Sequence, residues 1–215
     1  MILLIAATAF EIPSFIKQEN KQQDILITGV GAAATMYHLQ KRLHQIDYDF
    51  VVQAGIAGSF TDELNLGEVV IVEQDAFGDI GMEEKNNFTP IFKSGFVDEN
   101  EFPFENGWLK NKNEIINQSL LKIVRAVTVN KVSDSELQKQ QLIQTFNPQI
   151  ESMEGSAFHY VCLQEKIPFI QIRSISNFVG ERDKTKWKMK DAINNLTTEL
   201  VKLIEHLKPL HFETH

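Results

Sequence analysis

Two short stretches hold the residues best suited to chemistry: Ser152-Met153-Glu154-Gly155 and, about twenty residues on, Ile172-Arg173-Ser174-Ile175-Ser176-Asn177. The first places a carboxylate at the start of a predicted helix, the second an amide at the end of a predicted strand. An ionised Glu154 accepts two hydrogen bonds from a cis-diol, each worth about 1.5–3 kcal/mol as a charge-assisted bond. The Asn177 amide both donates and accepts, which suits the edge of a purine. Each also has a plainer use, since negative charge is favoured at a helix N-terminus and Asn commonly satisfies a turn. Glu11 stands just past the first predicted strand, between Phe10 and Ile12-Pro13. A carboxyl group among such neighbours is placed to deliver a proton, or else to act as a first-turn helix acid. Asp183, in the polar loop Val179-Gly180-Glu181-Arg182-Asp183, fits a helix N-cap or an acid. The run Ala54-Gly55-Ile56-Ala57-Gly58-Ser59 closes the third predicted strand with small residues. Its backbone approaches a ligand closely at the carboxyl edge of a sheet, so Ile56, Ala57 and Gly58 are candidate contacts; a mere turn is the alternative.

Two other features invite chemistry and are weaker. Gly29-Val30-Gly31-Ala32-Ala33-Ala34 follows a strand and opens a helix, as a dinucleotide fingerprint does. The fingerprint's acid belongs at the far end of the next strand, however, and Asp47 and Asp49 precede it. A tight turn for helix–sheet packing is the better account. Cys162 is the single cysteine and lies in the apolar run Phe158 to Leu163. With His159 three residues away it could form a thiol–imidazole pair, but a buried inert thiol fits better.

These residues need rigid elements behind them. Short apolar runs rich in branched residues predict strands at Ile2–Ala6, Asp24–Thr28, Phe50–Ala54, Glu68–Glu73, Ala126–Val129 and Phe169–Ser174. Several are apolar at nearly every position, as in strands buried on both faces of a largely parallel sheet. Helical spacing predicts helices over Ala32–Gln45, Ile115–Val124, Ser135–Thr145, Ser156–Glu165 and Lys186–Leu207. Strand–helix alternation implies an α/β fold of three layers, α/β/α, around a central, mostly parallel mixed sheet. The length of 215 residues suits one domain, 1–215. The segment Phe77–Asn113 carries five phenylalanines besides Phe77, and Trp108. Such content predicts an ordered excursion that walls a ligand pocket or a subunit contact. The tail His211–His215 is expected to fray.

A net charge of −8 argues against a nucleic-acid surface. The apolar Met1–Ala9 lacks a basic flank and is too short to span a bilayer, so it reads as a buried strand in a cytoplasmic protein with no membrane partner. The six His residues are scattered without ligand spacing, so no metal and no cofactor are expected.

The chain resembles the nucleoside phosphorylase/nucleosidase superfamily and, within it, the futalosine hydrolases of an alternative menaquinone pathway. The motifs that carry the resemblance are Phe77-Gly78-Asp79-Ile80-Gly81, Phe88-Thr89-Pro90, Ser152-Met153-Glu154-Gly155, and Ser176-Asn177-Phe178-Val179-Gly180-Glu181-Arg182-Asp183 with Trp187. The resemblance spans about Met1 to Leu207. It implies a nucleoside phosphorylase-like sheet and cleavage of a small-molecule nucleoside at its N-glycosidic bond. Glu11 then falls where an acid/base activates the attacking water, Met153 and Glu154 where the ribose is held, and Asn177 and Phe178 at the base. The adenine-releasing nucleosidases carry an aspartic acid where this chain has Asn177. An amide there suits hypoxanthine and cannot itself supply a proton, a task left to Asp183 or a water. A homodimer or higher homo-oligomer is implied. A phosphorylase and a methylthioadenosine/adenosylhomocysteine nucleosidase are the rivals. The first needs cationic partners for phosphate, and no Arg precedes Arg42 or lies in Gln53-Ala54-Gly55.

Overall fold

The computed structural model describes residues 1–16, 23–85, 87–132 and 135–207; the tail His211–His215 lies outside the described residues. In chain order the elements are β1 (Ile2–Ala6), α1 (Pro13–Ile16), β2 (Gln23–Ile27), α2 (Ala32–Leu43), β3 (Phe50–Ser59), β4 (Val69–Phe77), β5 (Gly81–Glu84), β6 (Asn87–Pro90), β7 (Leu109–Lys110), α3 (Ile115–Gln118), β8 (Lys122–Thr128), α4 (Glu136–Phe146), β9 (Ile150–Ser152), α5 (Gly155–Gln164), β10 (Phe169–Phe178) and α6 (Met189–Leu207).

The period of two along β1 explains the three layers. Ile2, Leu4 and Ala6 face one core with Val52, Ala54 and the α6 residues Leu196, Leu200 and Ile204. Leu3 and Ile5 face the other with Leu39 of α2 and Phe158, Val161 and Cys162 of α5. Successive side chains of a strand point to opposite faces, so a strand apolar at every position needs a helix on each side. α6 meets this need by burying Ala192, Ile193, Leu196, Leu200, Ile204 and Leu207, a stripe at helical spacing.

The sheet is mixed and mainly parallel: β2, β1, β3 and β10 run the same way, while β10–β4, β3–β9 and β4–β7 are antiparallel. One part of it closes on itself. β10 pairs with both β3 and β4, and β4 leads through β8 and β9 back to β3, giving a ring of five strands. β3 makes this possible by its length of 10 residues. Its first half pairs with β1, whereas Gly58 and Ser59 at its end pair with β9. Because β1, β3 and β10 are parallel, their carboxyl ends meet at one edge, where ligands of α/β folds usually bind.

One expectation is corrected. The predicted helix Ile115–Val124 is helical only to Gln118; Lys122-Ile123-Val124 belongs to β8, in parallel register with β4. Branched residues that fit a helix period also fit a strand, and pairing with β4 decides. The three-residue β9 was too short to predict. The excursion Phe77–Asn113 is ordered, as expected, with a β5–β6 hairpin and a Phe92–Phe104–Tyr160 aromatic row.

Candidate functional site

At the carboxyl edge of β1, β3 and β10 lies a cavity of about 330 Å³. Glu11, Ile56, Ala57, Gly58, Met153, Glu154 and Asn177 all line it, so the fold gathers seven of the nine candidate residues. A larger cleft of about 510 Å³, between the β5–β6 hairpin and α4, contains none of them.

Glu11 is held in the turn after β1. Its Oε2 accepts hydrogen bonds from Thr8 N at 3.0 Å and Thr8 Oγ1 at 3.1 Å. Its Oε1 accepts from Ile56 N at 3.2 Å, which ties the turn to β3. Beside it, a Cβ on Gly55 would lie 2.3 Å from Arg173 Nη1 and 2.9 Å from Glu11 Oε1, so only glycine lets both groups cross this strand.

Glu154 sits 5% exposed at the start of α5. Burial raises its carboxyl above the usual range, while the Arg173 charge and the Gly31 N–H pull it down and the nearby Glu11 pushes it up. Gly31 N donates to Glu154 Oε1 at 2.9 Å, and Arg173 Nη1 is 3.8 Å from Oε2. The glycine turn between β2 and α2 thus serves this acid. Asp49, the nearer of the fingerprint's acids, pairs instead with the N-terminal amine at the opposite end of β3.

Arg173 joins the site from outside the nine candidates. Its guanidinium is almost fully buried, with Nη2 donating to Gln53 Oε1 at 2.9 Å; Nη1 faces Glu154 and, with Glu11 Oε1, crowds the Cα of Gly55. The available signal was a charged residue in the middle of a strand predicted to be buried. Counting Arg residues only near the N-terminus and the β3 turn therefore overlooked a cation that the fold brings in from β10.

A buried network fixes the first turn of α5. Asp75 Oδ1 accepts from Thr128 Oγ1 at 2.9 Å and Ser156 Oγ at 2.7 Å, and Ser156 N donates to Thr128 Oγ1 at 2.7 Å. A Cβ on Gly155 would fall 2.0 Å from Asp75 Oδ2, which gives that glycine its reason. Behind this network, burial pushes the imidazole of His159 down to about 4 and the Cys162 thiol well up. Both are neutral near pH 7, so a reactive thiolate–imidazolium pair is excluded.

Asn177 ends β10 with its amide oriented by neighbours. Its Oδ1 accepts from Ser176 Oγ at 2.8 Å and its Nδ2 donates to Phe178 O at 3.0 Å, leaving one N–H for a ligand. Phe178 itself is 39% exposed at the strand end and does not line the cavity. Asp183 does not line the cavity either. It is exposed and caps the turn Lys184–Lys186, accepting from Thr185 N and Oγ1 at 3.0 and 2.6 Å. Those bonds lower its carboxyl below the usual range, which makes it a poor proton donor near pH 7. The excursion Phe77–Asn113 contributes no residue to this cavity either; Phe10, Val30, Val132, Trp187 and Met189 supply its apolar wall.

One further residue enters unannounced. Glu151 of β9 lines the cavity, 5% exposed, and burial pushes its carboxyl up to about 7.

The sequence profile of the phosphorylase superfamily matches residues 14–208. This chain belongs to the phosphorylase superfamily. A futalosine hydrolase of Thermus thermophilus is 28% identical over 184 residues, covering 83% of this chain and 80% of that one. A 5′-methylthioadenosine/S-adenosylhomocysteine nucleosidase of Buchnera aphidicola is 26% identical over 190 residues, with 84% and 77% covered. Among solved structures, the corresponding nucleosidase of Colwellia psychrerythraea, in complex with adenine, superposes with a TM-score of 0.77 at 17% identity, covering 95% of this chain and 94% of that one. That likeness establishes the superfamily's mixed α/β sheet architecture here. Among the described residues of this superfamily member no helix is long and apolar enough to cross a membrane.

Proposed function

We propose that this nucleosidase of the phosphorylase superfamily hydrolyses the N-glycosidic bond of a 6-oxopurine nucleoside of the futalosine type, releasing hypoxanthine, as a step of menaquinone biosynthesis. One observation supports the reading: two carboxylates, Glu11 and Glu154, and a neutral amide, Asn177, line one cavity, with the buried Arg173 guanidinium 3.8 Å from Glu154. Glu154 takes the ribose hydroxyls and steadies positive charge as the sugar gains oxocarbenium character. Glu11, fixed by three hydrogen bonds, orients and deprotonates the attacking water. Asn177 donates its remaining N–H to the purine edge. The whole chain acts as one catalytic unit, cytoplasmic and homodimeric or larger.

A second reading, a methylthioadenosine/adenosylhomocysteine-type nucleosidase, draws on the apolar rim of Phe10, Val30, Trp187 and Met189, which suits a thioalkyl group at the ribose 5′ position. Base release from futalosine, aminofutalosine, inosine and methylthioadenosine, with and without phosphate, separates the readings. Futalosine is expected to turn over fastest, at a rate unaffected by phosphate. Faster cleavage of methylthioadenosine selects the second reading, and a phosphate requirement selects a phosphorylase.

The amide gives a sharper prediction. Asn177→Asp exchanges an N–H donor for an acceptor that suits an exocyclic amine, so the ratio of kcat/KM for 6-amino over 6-oxo purine nucleosides rises at least tenfold, about 1.4 kcal/mol. An unchanged ratio rules the amide out as the specificity group.

A further inference from the structure

Asn177, Gly58 and Glu151 are register partners on three adjacent strands: Asn177 of β10 opposite Gly58 of β3, and Gly58 opposite Glu151 of β9. Directly opposed residues of neighbouring strands project from the same face of a sheet. The middle position carries no side chain. A Cβ there would lie 3.2 Å from Val179 Cγ2, 3.3 Å from Asn177 Nδ2 and 3.5 Å from Glu151 Cγ, so the amide and the acid stand on either side of Gly58 in the cavity lining, with Val179 packed beside it.

Glu151 is otherwise without a task. Among the described residues no hydrogen bond reaches its carboxyl group, and Arg182, in the loop after β10, is the charge that acts on it. Across the sheet it faces Val127 of β8 and Gly58 of β3, neither of them titratable, and Asn177 is neutral. A buried carboxyl group with no structural partner, open to a ligand cavity, is costly unless it meets something there.

We propose that Glu151 is the catalytic acid that gives its proton to the departing purine, while Asn177, across Gly58 from it, holds the base's 6-oxo edge. This deepens the hydrolase reading above and rests on it. The C1′–N9 bond breaks and its electron pair passes into the base, whose N7 takes the Glu151 proton. Water adds to C1′ and passes a proton to Glu11, which releases it to solvent, and solvent returns a proton to Glu151. The base leaves neutral and the sugar gains a hydroxyl group. Asn177 has no proton to lose, so the acid that this position lacks is supplied from the neighbouring strand. Burial favours the protonated form of Glu151 and the Arg182 charge opposes it, which leaves the acid near the value a proton donor needs at neutral pH.

The test is Glu151→Gln, isosteric and unable to ionise, assayed without phosphate on a 6-oxopurine nucleoside between pH 5 and 9. A donor works only while protonated, so wild-type kcat is expected to fall as pH rises above about 7. The variant is expected to lose about 10²–10⁴-fold in kcat with KM within a few fold, and to lose that alkaline limb. Glu151→Asp, which keeps an ionisable acid one methylene shorter, is expected to retain the limb at reduced kcat, and it serves if the Gln variant fails to fold. Unchanged kcat, an effect on KM alone, or an alkaline limb that survives in Glu151→Gln overturns the assignment. If the wild-type protein releases no base from any purine nucleoside, the hydrolase reading itself fails, whatever Glu151 does.

Discussion

Glu11→Gln leaves nucleoside binding in place and lowers kcat by about 10²–10⁴-fold, the usual contribution of one positioned acid or base. The amide keeps the size of the side chain, and its oxygen can still accept from Thr8 or Ile56 N. It cannot take a proton from water. Single-turnover rates with a purine nucleoside, set beside a Kd measured by displacement of a fluorescent base, separate the two effects. Turnover comparable to wild type removes Glu11 from the reaction and leaves the water to be activated by another group.

The second large effect falls on stability as well as rate. Arg173→Met withdraws the buried cation that faces Glu154 and bonds Gln53, leaving the carboxylate without its counter-charge and the amide oxygen without its donor. Breaking a buried ion pair by removing one partner costs about 3–5 kcal/mol. For a chain of this size that lowers Tm on the order of 10 °C. The loss depends on pH in a fixed sense. Glu154 already titrates above its ordinary value because it is buried, and the Arg173 charge holds it down. Without that charge its folded-state value rises further. A carboxyl group raised in the folded state adds stability below its unfolded value and loses that contribution as pH rises through the folded one. The stability deficit of Arg173→Met is therefore smaller near pH 4.5 than at pH 8. Any residual activity, which needs Glu154 ionised, has its acid limb moved to higher pH. Thermal melts at the two pH values check the first part and a pH–rate profile the second; an equal deficit at both means that Arg173 is not the counter-charge of Glu154.

Local patterns were enough for much of this protein. The unbroken apolar run of β1 implied a strand covered on both faces, because side chains alternate with a period of two and neither face of β1 could be left to water. Glu154, Asn177, Glu11 and the small residues of β3 were legible as candidates because each stands at the end of a predicted element, where backbone and side chain turn towards a ligand. The excursion Phe77–Asn113 shows the limit of such reasoning. Its aromatics do order it, but composition carries no information about which cavity a segment borders.

What the linear order determined, then, is residue chemistry, element type and the ends at which functional groups stand, since these depend on neighbours along the chain. Tertiary structure decided the rest. β10 pairs with β3 and β4 at once, and that closure brings Arg173 beside Glu154 and Gly55, close to Glu11, although over 160 residues separate Glu11 from Arg173 along the chain. It also sets Glu151 and Asn177 on either side of Gly58 through a strand of three residues, too short for any periodicity to declare. Strand register exists only between segments, because its energy lies in cross-strand hydrogen bonds and packing. A side chain whose role depends on register acquires it only when the sheet closes.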